Sequence, residues 1–267
     1  MPDAGSVFDE RASRQLEALY HTPDIVEQRR RTRRLLAPRP GERILDVGSG
    51  PGLLVAELAE DVGPAGHVTG IDIADSMITL SEQRAADSPV ADRMTFLRAD
   101  ATALPFDDHE FDAAVAIQVY EYVEDVDAAL AELYRVLRPG GRALILDTDW
   151  DSLVWNATDT NLMHRVLTAW TARFAHPHLP RTLSRRLQSA GFAIQDRLVL
   201  TIFNPEYNPN TYSAAHLDIM SDFVTTHGPL TPAEVNTWRA DLQALSDQAA
   251  YFFSLNRYAF LTHRPDQ

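Results

Sequence analysis

The chain has 267 residues, of which 45% are hydrophobic, enough to bury the core of one large α/β domain. It has no cysteine, so disulfides, cysteine nucleophiles and thiolate metal sites are excluded. All 24 basic residues are arginine, which excludes Schiff-base and P-loop lysines, and the net charge of −14 argues against general nucleic-acid binding.

The N-terminal region predicts two helices. Residues 8–19 fit a short polar helix, and Thr22 and Pro23 start a second helix that runs to about Ala37. The arginines of this helix fit a solvated face; alternatively one of them, or Tyr20, reaches over a ligand. The N-terminus is not a signal peptide and no apolar run approaches the ~18 residues of a membrane span, so we expect a cytoplasmic protein without membrane insertion.

A glycine-rich stretch follows the first predicted strand, residues 42–47. Gly48, Gly50 and Gly52 let the backbone come close to a ligand. The next helix, predicted to begin at Pro51, points its partly positive N-terminus at the same place. The stretch therefore predicts a nucleotide-type site at the edge of an α/β sheet.

The spacing of these glycines differs from that of a dinucleotide site. The dinucleotide fingerprint is G-x-G-x-x-G, and Leu53 stands here in place of its last glycine. Asp46 lies two residues before the first glycine, where a carboxylate repels a pyrophosphate but suits a cationic group. S-adenosylmethionine (SAM) carries an ammonium and a sulfonium and no phosphate. The stretch resembles motif I of the class I SAM-dependent methyltransferases, and an NAD-linked oxidoreductase is a disfavoured alternative.

Acidic residues follow the next two predicted strands. Asp72 ends the strand 67–72, about 20 residues after the glycines, where α/β nucleotide sites place an acid on the ribose hydroxyls. Ile73 is placed to cover one face of an adenine. Asp100 follows the strand 94–97, and a carboxylate there can accept a hydrogen bond from an adenine amino group. The alternative for Asp100 is a turn-forming role in the loop.

Two further strands complete the parallel part of the predicted sheet. The segment 111–117 is nearly all apolar, as a central parallel strand should be. Residues 118–123 leave it at the carboxyl edge, where ligands bind in such folds. A helix starting near Asp125 ends at a Pro-Gly-Gly turn, and the fifth strand follows at 142–147.

These segments resemble the class I SAM methyltransferases in order and spacing. They are most similar to the branch that contains the ubiquinone/menaquinone C-methyltransferases, also called methyltransferase type 11. The Leu-Arg-Pro-Gly-Gly sequence after the fourth-strand helix is typical of that branch. The segments that carry the resemblance are 44–52, 68–76, 100–106, 111–123 and 132–141.

The resemblance implies an α/β fold with a Rossmann-like, seven-stranded, mostly parallel sheet, helices on both faces and an antiparallel last strand. It implies an enzyme of the methyltransferase class that converts SAM to S-adenosylhomocysteine. The quinone activity of the branch does not carry over, because it depends on parts of the chain that differ. The expected cofactor-binding residues are Tyr20, Asp46, Gly48, Gly50, Asp72, Ile73, Asp100, Ala101 and Gln118.

The rest of the chain predicts a cap on a single domain spanning 1–267. Residues 1–40 are expected to lie over the cofactor, and 149–179 and 203–248 to form helical cap insertions that bind the substrate. These insertions are rich in aromatic residues, which can line a mostly apolar pocket. We therefore expect a small, largely apolar or aromatic methyl acceptor between the cap and residues 118–122. The last strand, about 251–262, should run antiparallel and pair with the sixth strand, at 193–202.

The sequence does not single out a catalytic base. Methyl transfer mainly requires alignment of the partners and exclusion of water, and a base helps if the acceptor carries a proton. The candidates are His176, His178 and His216. A SAM-binding partner subunit without activity is an alternative function, and the oligomeric state is open.

Alternating aspartates after the fifth strand raise the question of a metal site. Asp147, Asp149 and Asp151 alternate, but neither a histidine nor a further carboxylate has ligand spacing nearby. We therefore predict no metal site.

Overall fold

The computed structural model describes residues 16–266, so most of the helix predicted at 8–19 lies outside the described residues; 16–20 are helical. The strands are β1 (Arg43–Val47), β2 (His67–Asp72), β3 (Met94–Arg98), β4 (Phe111–Ile117), β5 (Leu137–Thr148), β6 (Val154–Trp155), β7 (Ala193–Asn204) and β8 (Phe253–His263). The α-helices are α1 (Pro23–Leu36), α2 (Leu53–Val62), α3 (Asp75–Ala86), α4 (Val126–Val136), α5 (Thr160–Thr171), α6 (Pro180–Ser189), α7 (Tyr212–Thr226) and α8 (Pro232–Asp247).

The strands form one mixed sheet in the order β3-β2-β1-β4-β5-β8, with β7 on β8. Neighbours among β1 to β5 are parallel, and β8 runs antiparallel to β5 and β7. The predicted α/β fold, with a mostly parallel sheet and an antiparallel last strand beside the sixth predicted strand, is confirmed. The two-residue β6, which pairs with the start of β8, adds an eighth strand that was not predicted.

The central strands are buried on both faces, which explains their nearly continuous apolar sequence. Successive side chains of a strand point to opposite faces of the sheet. Ile44 of β1 and Ala113 of β4 accordingly pack in one cluster with α2, whereas Leu45 and Ala114 pack in another with α4. The helix predicted to start near Asp125 is α4, and the side chain of Asp125 caps it by accepting a hydrogen bond from the Ala128 N–H.

Two element boundaries differ from the prediction. α2 begins at Leu53 and not at Pro51, because Gly52 adopts a left-handed conformation (φ +75°) that ends the loop before the first helical turn. β5 begins at Leu137, directly after α4, so the Pro-Gly-Gly sequence lies inside the irregular start of a strand. The pairing with β4 shifts register at this point.

The cap has its own apolar core beside the sheet. It contains all four tryptophans of the chain and joins α5, α7 and α8 to the start of β8. The predicted capping box at Thr231 and Glu234 starts α8. In the described part of the chain, no helix has the length and hydrophobicity needed to cross a membrane.

The fold brings four chain segments to one edge of the sheet. Gly48 follows β1, Asp72 ends β2, Gln118 follows β4 and Thr148 ends β5. Because the carboxyl ends of parallel strands meet at the same edge, these residues surround the place where α/β proteins bind ligands.

Candidate functional site

A cavity lies between this edge of the sheet, the N-terminal helices and the cap. The sheet side is formed by the glycine loop, which we define as residues 48–52, and by residues that follow β4. The N-terminal helices contribute Tyr20 and Gln28, and β8 contributes Arg257. The cap residues that line the cavity are Trp150, Trp170, Arg173, Tyr212, His216 and Ile219.

The first two glycines of the loop are required for different reasons. Both have positive φ, +67° at Gly48 and +52° at Gly50. A Cβ on Gly48 would lie 2.3 Å from Val119 Cγ2, so a side chain there collides with the protein itself. A Cβ on Gly50 would meet only the Tyr20 ring, at 3.7 Å. Gly48 therefore allows close packing, whereas Gly50 leaves space beside the cavity.

Asp46 presents a buried carboxyl to this cavity. It is 2% exposed, and burial raises its pKa well above the ordinary value, with a further contribution from Asp72. No donor among the described residues hydrogen-bonds to its side chain. A buried carboxyl with no donor is poorly stabilised when charged, so a cationic ligand group would favour its ionised form.

Asp72 lies beside the glycine loop without lining the cavity. Its carboxylate accepts hydrogen bonds from the Gly50 N–H at 3.0 Å and the Ala74 N–H at 2.9 Å. Burial raises the pKa of Asp72 although these N–H groups act in the opposite direction. The adjacent Ile73 is 40% exposed, and its role beside an adenine stays a prediction.

Asp100 and Ala101 lie farther along the same edge, after β3. Asp100 is exposed, and its Oδ1 accepts hydrogen bonds from the Thr102 N–H and Oγ1–H, both at 2.8 Å. The side chain thus stabilises a turn in the loop, which was the alternative role considered for Asp100. Both hydrogen bonds use Oδ1, and Oδ2 belongs to the same exposed carboxylate.

Gln118 is held in a strained backbone conformation at the cavity wall. It has φ +59°, unusual for a residue other than glycine, and its N–H donates to Leu146 O at 2.7 Å. Its Oε1 accepts from Thr148 Oγ1 at 2.9 Å, which turns Nε2 the other way. Nε2 is buried and has no hydrogen-bond partner among the described residues, so it is available to donate a hydrogen bond to a ligand.

Residues of the N-terminal helices line the cavity. One alternative in the sequence analysis was that Tyr20 or an arginine of the second predicted helix reaches over a ligand. Tyr20 lines the cavity, and burial raises the pKa of its phenol. Arg29 also lines it, while its Nε donates to Glu57 on α2 at 2.9 Å. Arg33 on α1 forms an ion pair with Asp61 on α2, with 2.6 Å between Nη2 and Oδ1, and this pair connects the two helices.

Three ionisable residues of the cavity, Glu121, Arg173 and Arg257, escaped the sequence analysis. Glu121 is 1% exposed, and its Oε2 accepts hydrogen bonds from the Thr148 N–H at 3.3 Å and from Trp150 Nε1–H at 3.1 Å. Arg257 is 4% exposed on β8. A signal for Arg257 exists in the sequence, because it occupies an inward position of an alternating strand, between Leu255 and Ala259.

The three candidate histidines are not brought together. His216 lines the cavity, stacked between Trp150 (ring centroids 5.7 Å apart) and Tyr212 (4.9 Å). Burial, with Arg257 and Arg173 nearby, lowers its pKa to about 3, so its ring is neutral at pH 7. His176 and His178 lie on the loop before α6, and neither is among the cavity-lining residues of the described chain.

The aspartates after β5 do meet a histidine in space. Ligand atoms of Asp149, Asp151 and His178 lie within 4.8 Å of one another in space, although no histidine has ligand spacing to these aspartates in the sequence. His178 lies on the loop before α6, 27 residues after Asp151, so the sequence spacing does not reveal this contact. Arg181 donates to Asp149 at 2.6 Å and to Asp151 at 2.6 Å, so a guanidinium already neutralises these carboxylates. The absence of a metal site stays a prediction.

Comparison with known proteins identifies the sheet region. Residues 45–145 match the family described as methyltransferase domain. The ubiquinone/menaquinone biosynthesis C-methyltransferase of Vibrio cholerae is 42% identical over 109 residues, which is 41% of this chain and 42% of that protein. The chain thus spans about half or less of the length of such curated relatives.

Solved structures share the fold at low sequence identity. The [4+2]-cyclase SpnF has a TM-score of 0.61 and 22% identity, with 90% of this chain and 81% of that chain covered. A Haemonchus contortus phosphoethanolamine N-methyltransferase, solved with phosphomonomethylethanolamine and S-adenosylhomocysteine, has a TM-score of 0.63 and 19% identity. The match covers 97% of this chain and 58% of that chain. Because one fold hosts different reactions, function must be argued from the site.

Proposed function

We propose that the chain transfers a methyl group from SAM to a small molecule bound under the cap, because residues 45–145 match the family described as methyltransferase domain. The observation that carries this proposal is the pairing of Gly50 with Asp46. Gly50 leaves room at the cavity wall, and the Asp46 carboxyl lines the same cavity without a hydrogen-bond donor among the described residues. A cationic, phosphate-free cofactor fits this wall better than a pyrophosphate does.

The cofactor would extend along the edge of the sheet. The ammonium of its methionine part fits Asp46, and its carboxylate or sugar oxygens fit the free Nε2 of Gln118. Asp72 accepts a hydrogen bond from the Gly50 N–H of the loop and another from the Ala74 N–H, and a carboxylate accepts up to about four, so it can still receive ribose hydroxyls. Ile73, Asp100 and Ala101 follow in the direction of the adenine.

The acceptor would be held by the cap. The segment 149–179 contributes Trp150 and Trp170 to the cavity, and 203–248 contributes Tyr212 and His216. Trp150 and Trp170 meet edge to face, with ring centroids 5.5 Å apart, so this wall is apolar and stiff. These contacts support the division of the domain into a cofactor side and a substrate-binding cap.

Within this cavity Glu121 is better suited than His216 to accept a proton. A catalytic base works best when its pKa lies near the working pH. Burial raises the pKa of Glu121 to about 7, whereas the pKa of His216 is lowered to about 3. We therefore assign proton acceptance, where the acceptor requires it, to Glu121; neither His176 nor His178 faces the reacting molecules.

Incubation with SAM that carries a ¹³C-methyl group tests the proposal. The purified protein, supplied with SAM and a small-molecule cell extract, should release S-adenosylhomocysteine and place the label on an extract component. Gly50→Val should abolish both. Bound SAM that is never consumed would favour the alternative, a partner subunit without activity, and binding of NAD in place of SAM would favour an oxidoreductase.

A further inference from the structure

Arg257 is a buried cation with neutral partners. Its Nη1–H donates to Gln28 Oε1 on α1, and Nη2–H donates to Tyr212 Oη on α7 at 3.1 Å. Its Nε is buried without a partner. Among the described residues, no carboxylate oxygen lies within the 4.0 Å of an ion pair with it. The guanidinium nevertheless lines the cavity.

This arrangement is unusual because a guanidinium stays protonated in proteins. A buried charge is costly to keep unless an opposite charge compensates it. The cavity carboxyl that Arg257 influences electrostatically is that of Glu121, which already accepts two hydrogen bonds at Oε2 from Thr148 and Trp150. Since burial moves the pKa of Glu121 to about 7, this group supplies only part of a negative charge at neutral pH.

The neighbours of Arg257 disfavour a cationic acceptor. Arg173, whose guanidinium lies 5.3 Å from the centre of the Trp170 ring, lines the same part of the cavity. A protonated amine would meet two guanidinium groups there. Trp150, Trp170 and Tyr212 supply aromatic surface beside them. The cap side therefore combines flat apolar walls with the positive charge of Arg257.

We propose that the methyl acceptor is a flat, mostly apolar molecule with a carboxylate, and that this carboxylate pairs with the guanidinium of Arg257. This inference depends on the proposed function, because only that function makes the bound molecule a methyl acceptor. It narrows the expectation of a largely apolar or aromatic acceptor to an organic acid. Arg257 is thereby a specificity-determining residue, and Gln28 and Tyr212 hold its planar group in place.

The test compares carboxylates with their uncharged amides. The full chain, saturated with S-adenosylhomocysteine, is titrated calorimetrically with benzoate and benzamide, 4-hydroxybenzoate and 4-hydroxybenzamide, and 2-naphthoate and 2-naphthamide. At least one carboxylate should bind about ten-fold more tightly than its amide, the factor expected for one charge-assisted hydrogen bond. Equal binding within every pair, tighter binding of the amides, or no binding by any carboxylate would overturn the inference.

Three variants locate the preference. Arg257→Gln should abolish the preference for the carboxylate, Arg257→Lys should keep part of it, and Arg173→Gln, which removes the other guanidinium of the cavity, should keep more of it than Arg257→Gln does. Loss of the preference in Arg173→Gln but not in Arg257→Gln would place the anion elsewhere and contradict the assignment. If a variant does not fold, the comparison of each acid with its amide on the wild-type protein still decides whether the cavity prefers a carboxylate.

Failure of the proposed function has a different signature. If S-adenosylhomocysteine does not bind, the proposed function fails, and the same pairs are titrated into the unliganded protein. A preference for carboxylates that depends on Arg257 would then survive as a binding property without methyl transfer.

Discussion

At the scale of single residues, three buried carboxyl groups share a raised pKa, and two of them, Asp46 and Glu121, line the cavity. Asp46, Glu121 and Asp147 are each at most 2% exposed. Burial raises the pKa of all three. The folded protein therefore binds protons that the unfolded chain would release near neutral pH, which links its stability to pH.

Glu121 gives this linkage a testable direction. Its pKa rises from 4.5 to about 7 on folding, so the folded state binds more protons and the free energy of unfolding should fall as pH rises from about 5 to 7. This fall in the free energy of unfolding is roughly 2–3 kcal/mol. Arg257 and Arg173 reduce it because they lower the pKa of Glu121, and the nearby Asp147 carboxyl also interacts with Glu121. In Glu121→Gln, urea unfolding at several pH values should show a clearly flatter decline. A replacement of the exposed Glu82 is the control, and an unchanged profile in Glu121→Gln would refute the assignment.

The glycine loop offers a cleaner probe of the cofactor than Asp72, whose carboxylate also holds the loop. In Gly50→Ala the methyl group enters the space beside Tyr20. We expect affinity for S-adenosylhomocysteine to fall at least about ten-fold, equivalent to ~1.4 kcal/mol, as measured by calorimetry. Gly41→Ala is the matched control, because Gly41 also has positive φ (+84°) and its nearest neighbour would be 4.0 Å away. Both variants lose roughly 1–2 kcal/mol of stability, but only Gly50→Ala should lose affinity.

At the scale of elements, α1 joins the N-terminal side of the cavity to the cap. The Asp24 carboxylate accepts hydrogen bonds from the Tyr212 N–H at 2.7 Å and from Asn204 Nδ2–H at 3.1 Å. It thereby caps α7, whose own N-cap residue Thr211 makes no side-chain capping bond. The helix that carries Gln28 is thus fixed to the helix that carries the partner of Arg257.

Removal of this connection should loosen both walls. Asp24→Ala should lower the free energy of unfolding by roughly 1–2 kcal/mol and weaken S-adenosylhomocysteine binding several-fold, because α1 covers the cavity. Thr231→Ala removes a cap of similar kind from α8, which contributes no described residue to the cavity wall. It should lower stability without changing affinity. Equal effects of the two variants on affinity would show that α1 has no special role.

The same elements show how far the sequence could be read. The glycine loop, Asp72 and Gln118 were predictable because each directly follows an apolar strand, and strand ends converge in a parallel sheet. Gln28 and Arg257 meet across 229 residues, and no local pattern encodes that contact. The start of α2 was misplaced because the left-handed conformation of Gly52, and not Pro51, decides where the helix begins. The two-residue β6 depends on β8 for its definition and has no periodicity of its own.

At the scale of the whole molecule, two binding sides meet in one cavity. The sheet edge supplies Asp46, Gly50 and Gln118, all within the region of the methyltransferase domain. The cap and β8 supply aromatic walls and Arg257, which lie outside that region. Under the proposed function, the residues of the sheet edge that bind the cofactor therefore lie inside the matched region, whereas the aromatic walls and Arg257 that bind the acceptor lie outside it.

The central claim is that the glycine loop binds SAM and not a dinucleotide. Calorimetric titration of the wild-type protein and Gly50→Val with S-adenosylhomocysteine and with NAD tests it most directly. The wild-type protein should bind S-adenosylhomocysteine with one molecule per chain and should not bind NAD, and Gly50→Val should bind neither while remaining folded. Binding of NAD to the wild-type protein, or undiminished affinity of Gly50→Val for S-adenosylhomocysteine, would contradict the account.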